Sequence, residues 1–134
     1  MSTVFADTFY FLSLLNPTDT AHAKAVEFTT RNTFRMLTTD WVLTELADGL
    51  AESPRGRIEF LATLADLKAD AEVTIVPCDR GLMEEGVNLY GQRPDKKWSL
   101  TDCISFVTMK RAGVTDALTG DHHFEQAGFV ALLK

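Results

Sequence analysis

No stretch of the 134-residue chain approaches the ~20 consecutive apolar residues of a membrane span, so a membrane-embedded protein is not expected. The opening Met1–Asp7 has no basic residue and reaches an acid early, which argues against a secretory leader and for a cytoplasmic protein. Cysteine is scarce: Cys78 and Cys103 are not spaced as a metal knuckle and read as free, mostly buried thiols. Repeats, low-complexity segments and interdomain linkers are missing, so residues 1–134 are expected to form a single domain. Positive charge is also in deficit, with a net charge of −6. That weighs against a phosphate-rich partner. The basic residues are nevertheless bunched, as Arg55 with Arg57, Arg93 with Lys96 and Lys97, and Lys110 with Arg111, and charge alone leaves the partner open.

What is present is an alternation of short apolar runs and helix-like stretches. Val4–Ala6, Arg35–Thr38, Val73–Val76, Asp116–Thr119 and Val130–Leu133 read as strands, the third stopped by Pro77. Between them, Thr18 or Asp19 can cap a helix carrying Ala21, Ala25 and Phe28, and Thr39 one carrying Leu43, Leu46, Ala47 and Leu50. Ser53-Pro54 opens a helix with an expected inward stripe of Ile58, Leu61, Ala62 and Ala65. Asp79 can cap another, bearing Met83, Val87 and Tyr90, and Ser99 opens a further one. Strands joined by crossover helices imply a three-layer α/β/α domain with a parallel sheet of about five strands. Such sheets bind ligands beyond the carboxyl ends of their strands, where strand order reverses. Asp7 and Asp121 flank one crevice if the chain winds outward through strands two and three and returns on the other side of strand one.

Each acid near that crevice has a plain structural use. Asp7 can be a helix cap, Asp102 stands three residues after Ser99 as in a capping box, Asp121 lies in a Gly-Asp turn, and Glu45 sits with the polar residues of its helix. Together, Phe5-Ala6-Asp7-Thr8, Thr44-Glu45-Leu46-Ala47, Ser99–Cys103 and Leu118–Phe124 resemble in order and spacing the acidic motifs of PIN-domain ribonucleases, and Glu125–Phe129 resembles that family's C-terminal signature. The resemblance spans the chain and points to the VapC-type toxins of toxin–antitoxin pairs. The aromatic run Phe9-Tyr10-Phe11 departs from it, since relatives often have small or aliphatic residues there.

The resemblance implies hydrolysis of RNA phosphodiester bonds, with Asp7, Glu45, Asp102 and Asp121 catalytic. Asp7, Asp102 and Asp121 would hold Mg2+, or Mn2+ in its place, Glu45 would orient or deprotonate the attacking water, and Thr8 and Thr119 would support the acids by hydrogen bonds. The chemistry is consistent: two carboxylates about 5 Å apart repel by ~3 kcal/mol at an effective dielectric of 20, and a hard cation with oxygen ligands relieves this. The partners implied are an RNA substrate, a cognate antitoxin and a second copy in a homodimer. Trp41, Trp98 and Phe9–Phe11 are candidate interface aromatics, although core packing is the commoner use. His122 and His123 read as turn or surface residues, with one near substrate as an option, and His22 as exposed and inert. Two alternatives stay open. One is a PIN fold that binds RNA or a partner without cutting. The other is a phosphoacceptor signalling domain with Asp79 as acceptor, for which no suitable lysine is evident.

Overall fold

Val4-Phe5-Ala6 are almost wholly shielded from solvent, at 2%, 0% and 0% exposure. A strand so uniformly apolar suits only the centre of a sheet covered on both faces. In the computed structural model, which describes residues 1–134, it takes that place. The strands are β1 (Ser2–Ala6), β2 (Phe34–Thr39), β3 (Val73–Val76), β4 (Asp116–Leu118) and β5 (Val130–Ala131). All neighbours are parallel and the spatial order is β3-β2-β1-β4-β5. Seven helices complete the α/β/α layers: α1 (Thr8–Leu15), α2 (His22–Arg31), α3 (Asp40–Gly49), α4 (Pro54–Ala69), α5 (Arg80–Gln92), α6 (Leu100–Ala112) and α7 (His122–Gln126).

Local chemistry fixes the helix starts. The Thr39 hydroxyl accepts from the Val42 amide at 3.1 Å, Ser53 from Gly56 at 2.9 Å, and Asp79 from Leu82 at 2.7 Å. These side chains satisfy amides that the first turn leaves without partners. Helix α6 is buried on most sides, through Cys103, Ile104, Ser105, Phe106, Thr108 and Met109. It packs tightly on α5, where a Cβ on Gly86 would stand 2.4 Å from Ile104 Cγ1, so only glycine permits this approach.

Several expectations require correction. The stripe expected to face inward on α4 faces solvent, with Ile58 67% and Leu61 62% exposed and Ala62 and Ala65 also exposed. Phe60, Leu64 and Leu67, at the same helical spacing, turn to the core instead. Two stripes compete on this helix, and the one with the aromatic ring buries more apolar area. On α5 the inward residues are Leu82, Gly86 and Leu89, leaving Val87 and Tyr90 exposed. There the glycine contact with α6 decides which face docks. Helix α2 begins at His22 rather than at Thr18 or Asp19, because Asp19 closes a local turn onto the Ala21 amide at 2.8 Å. The last strand is only two residues long. Cys78 is exposed, beside the edge strand, while Cys103 is buried. His22 is not a free surface group: its Nδ1 lies 2.8 Å from the Ser13 carbonyl oxygen and ties α2 to α1. Trp98, Tyr10 and Phe11 are core residues, whereas Trp41 is half-buried.

Candidate active site

The chain leaves β1 toward β2 and β3, then returns to the opposite side of β1 for β4 and β5. That reversal opens a crevice at the carboxyl ends of β1 and β4. Asp7 is the first residue after β1, and β4 is followed by Thr119-Gly120-Asp121. The Thr38 hydroxyl, on neighbouring β2, donates to the Ala6 carbonyl at 2.9 Å and fixes the backbone just before Asp7. Helix α3 supplies Glu45 and the first turn of α6 supplies Asp102.

Hydroxyl and imidazole groups link these acids. Thr119 Oγ1 donates to Asp7 Oδ2 at 2.8 Å and accepts from the Asp121 amide at 3.1 Å. The Thr8 hydroxyl donates to the Glu45 carboxylate, with the Val42 carbonyl 3.4 Å away as a second acceptor. His123 Nδ1 lies 3.1 Å from Asp102 Oδ2 and 3.5 Å from Asp121 Oδ1. Two carboxylate oxygens facing one nitrogen select the tautomer with the proton on Nδ1. Asp102 also closes a capping box, accepting from the Ser99 amide at 3.1 Å, and Asp121 caps α7 through the His123 amide at 2.9 Å. The capping uses of these two acids are therefore real and coexist with membership of the cluster. Asp7 differs: it stands at the N-cap of α1 without capping it.

The electrostatics are unfavourable as they stand. Burial pushes the Asp7 carboxyl up to about 7, and the nearby charges of Asp102 and Glu45 push the same way, opposed chiefly by the Thr119 hydrogen bond. Burial also raises Asp102, with Asp121 adding to the effect and the Ser99 amide and His123 opposing it. No lysine or arginine pairs with any of the four acids; the ion-pair partners of Asp102 and Asp121 are histidines. Carboxylates drawn together and partly desolvated without a fixed cation are a ready site for a mobile one.

The structure thus gathers Asp7, Glu45, Asp102 and Asp121 at one crevice, with Thr8 and Thr119 hydrogen-bonded to members of the set. Sequence reasoning missed His123, read as a turn or surface residue but held between two carboxylates with its side chain only 19% exposed. The i, i+2 step from the Asp121 cap, which turns His123 back over α6, was the available signal. One donor atom each from Asp121, His122 and His123 also falls within 4.8 Å of the others. These are consecutive residues, close by covalent necessity, and the His122 side chain is 63% exposed. The oxygen set drawn from several elements is the better-built candidate. The aromatic departure has a structural use as well. A Cβ on Gly120 would stand 2.6 Å from Phe9 Cζ, so the Phe9 ring lies flush against the turn between Thr119 and Asp121 and walls the crevice.

No family model matches the chain. Among curated proteins it is similar to the 23S rRNA-specific endonuclease VapC20 of Mycobacterium tuberculosis, 27% identical over 127 residues and covering 95% of each chain. The crystal structure of that Mycobacterium tuberculosis protein, a sarcin-ricin loop cleaving toxin, superposes with a TM-score of 0.85 at 24% identity over 95% of this chain and 96% of that one. VapBC2 from Rickettsia felis, solved with promoter DNA, gives 0.66 at 13% identity over 98% and 96%, and FitAcB from Neisseria gonorrhoeae 0.65 at 18% over 98% and 95%. The chain thus shares the fold of these solved structures and is similar along nearly its whole length to one curated relative, a VapC-type endonuclease.

Proposed function

We propose that this protein, acting as a single domain, is a metal-dependent endoribonuclease and the toxin of a toxin–antitoxin pair. The observation that carries the reading is the meeting of Asp7, Glu45, Asp102 and Asp121 at the sheet's switch point with no lysine or arginine to neutralise them. Whole-length likeness to an endonuclease acting on 23S rRNA supports RNA as substrate and makes ribosomal RNA the first to try. Similarity to VapBC2 supports an antitoxin partner. The exposed Ile58 and Leu61 of α4 offer apolar surface for such a partner or for a second copy.

Asp7, Asp102 and Asp121 would hold a divalent ion, and Mg2+, or Mn2+ in its place, fits an oxygen-only set. When bound, the ion supplies a more acidic water and charge stabilisation on the phosphate oxygens. The chain's own groups do the rest. Thr119 keeps the Asp7 carboxylate aimed into the crevice, and Thr8 fixes the rotamer of Glu45. Glu45, the most exposed of the four, accepts a proton from the attacking water. His123 holds Asp102 and Asp121 in register. Helix α6 directs its N-terminus, with that end's partial positive charge, toward the same crevice.

Two other readings lose on observation. A phosphoacceptor domain needs the acceptor strand beside the first strand. Here β2 separates β3 from β1, and Asp79 caps α5 at an exposed position. A silent binding module gives no reason for four acids to meet with no lysine or arginine beside them. Purified protein should cut ribosomal RNA with Mg2+ or Mn2+ and stop in chelator. Cutting that continues in chelator, and disappears in an Asp7→Asn control, would overturn the metal mechanism; no cutting of any RNA with either ion would overturn the activity.

A further inference from the structure

The net charge of −6 is locally reversed in a cleft of about 470 Å³ between the end of α5 and the start of α6. Its walls carry Tyr90, Arg93, Lys96, Lys97 and Trp98, and it reaches Cys103, the residue after Asp102. The cleft neighbours the acidic crevice at the start of α6, since its wall residue Trp98 immediately precedes Ser99, whose amide donates to Asp102 at 3.1 Å. Its cationic part is organised rather than merely solvated. The Arg93 guanidinium lies over the Trp98 ring, 5.1 Å from the centroid. Asp95 grips it with two hydrogen bonds of 3.0 Å from Nε and Nη2, while Lys96 Nζ stands 4.0 Å from the same carboxylate. Trp98 is buried and its Nε1 donates to Gln126 Oε1 at 3.0 Å, which ties the cleft floor to α7. Lys97 is exposed and joins no ion pair, and the Tyr90 ring is 55% exposed.

A cluster of carboxylates repels a polyanion, so a nuclease built on one needs nearby positive charge to hold substrate. We propose that this cleft binds the RNA backbone next to the bond that is cut, with Lys96 and Lys97 facing successive phosphates and Tyr90 offering a face on which a base stacks. The proposal rests on the ribonuclease reading and names where its substrate is held. Arg93 is fixed by Asp95 and Trp98 and acts as a rigid edge of the cleft. The positive charge beside the acids sets which strand segment lies across them.

The test measures binding without cutting. Fluorescently labelled single-stranded RNA is titrated in chelator with the parent, Lys97→Ala and the double variant Lys96→Ala/Lys97→Ala, at several salt concentrations. Each lost phosphate contact should flatten the slope of log affinity against log salt by about 0.7, and the double variant should bind about tenfold more weakly at low salt. Lys97 is exposed and Lys96 half-buried beside Asp95, so melting temperatures are taken for both variants, and that of Lys97→Ala should match the parent and certify the fold. Inorganic phosphate at matched ionic strength should not displace the RNA, because several phosphates are held together; displacement would mark a site for single anions and overturn the proposal. Unchanged slope and affinity in the double variant would overturn it too, and would leave the ribonuclease reading standing if the parent cuts RNA with Mn2+. A parent that binds RNA through the cleft but never cuts would instead overturn the ribonuclease reading alone.

Discussion

Replacing Asp7 with asparagine should stabilise the metal-free protein at and above neutral pH. Asp7 is 6% exposed, and burial with two neighbouring acids raises its carboxyl from 3.8 to about 7. A rise of about three units corresponds to roughly 4 kcal/mol of differential interaction, at 1.36 kcal/mol per unit. The sign follows from proton linkage. Between pH 3.8 and 7 the folded state holds the proton and the unfolded state has released it, so stability falls as pH rises through that window. Above about pH 7 the folded parent carries the full burden of a buried charge; below about pH 4 it carries none. Asparagine never ionises and can still accept from the Thr119 hydroxyl. In chelator at pH 8 the variant should therefore melt on the order of 10 °C above the parent, for a chain of this size, with the gap closing below pH 4. Thermal melts followed by circular dichroism across pH 4–8 read this directly. A variant that melts below the parent at pH 8, or a gap independent of pH, would refute the reasoning. Asp102→Asn should gain less, because the charged Asp102 carboxylate also serves the Ser99 amide at the start of α6.

Glu45→Gln should retain Mn2+ affinity and lose most of the single-turnover cleavage rate, since glutamine keeps the Thr8 contact but cannot take a proton. Weakened ion binding in calorimetry would make Glu45 a ligand, and unchanged cleavage would remove it from the site. Gly120→Ala should destabilise the protein by about 1–3 kcal/mol in denaturant melts, because the new methyl meets the Phe9 ring. Adding Phe9→Leu should recover part of that loss; no recovery would mean that the Phe9 contact is not the cause.

The sheet was legible because its strands are dense apolar or β-branched runs, each ended by something chemically distinct: Asp7 after β1, Thr39 capping α3 after β2, Pro77 after β3 and Gly120 after β4. The four acids were legible as an ordered set, although each alone is ordinary, and Asp102 and Asp121 do cap helices. What failed to show was orientation. Helices α4 and α5 carry two apolar stripes apiece, and the choice between them rests on contacts far away in sequence, such as Gly86 against Ile104. His123 went unseen for the same reason, because its partner Asp102 lies 21 residues back and on another helix. The basic run at Arg93, Lys96 and Lys97 was visible in sequence, but only the fold gathers it with Tyr90 and Trp98 around one cleft.

The central claim is that these carboxylates form a site for a divalent cation, and calorimetric titration of Mn2+ into the purified, metal-free protein tests it most directly. The parent should bind at pH 8 and progressively lose affinity as pH falls below about 7, where the Asp7 carboxyl takes up its proton. Asp7→Asn should not bind at the same concentrations. A parent that takes up no Mn2+, or an Asp7→Asn variant that binds it equally well, would contradict the account.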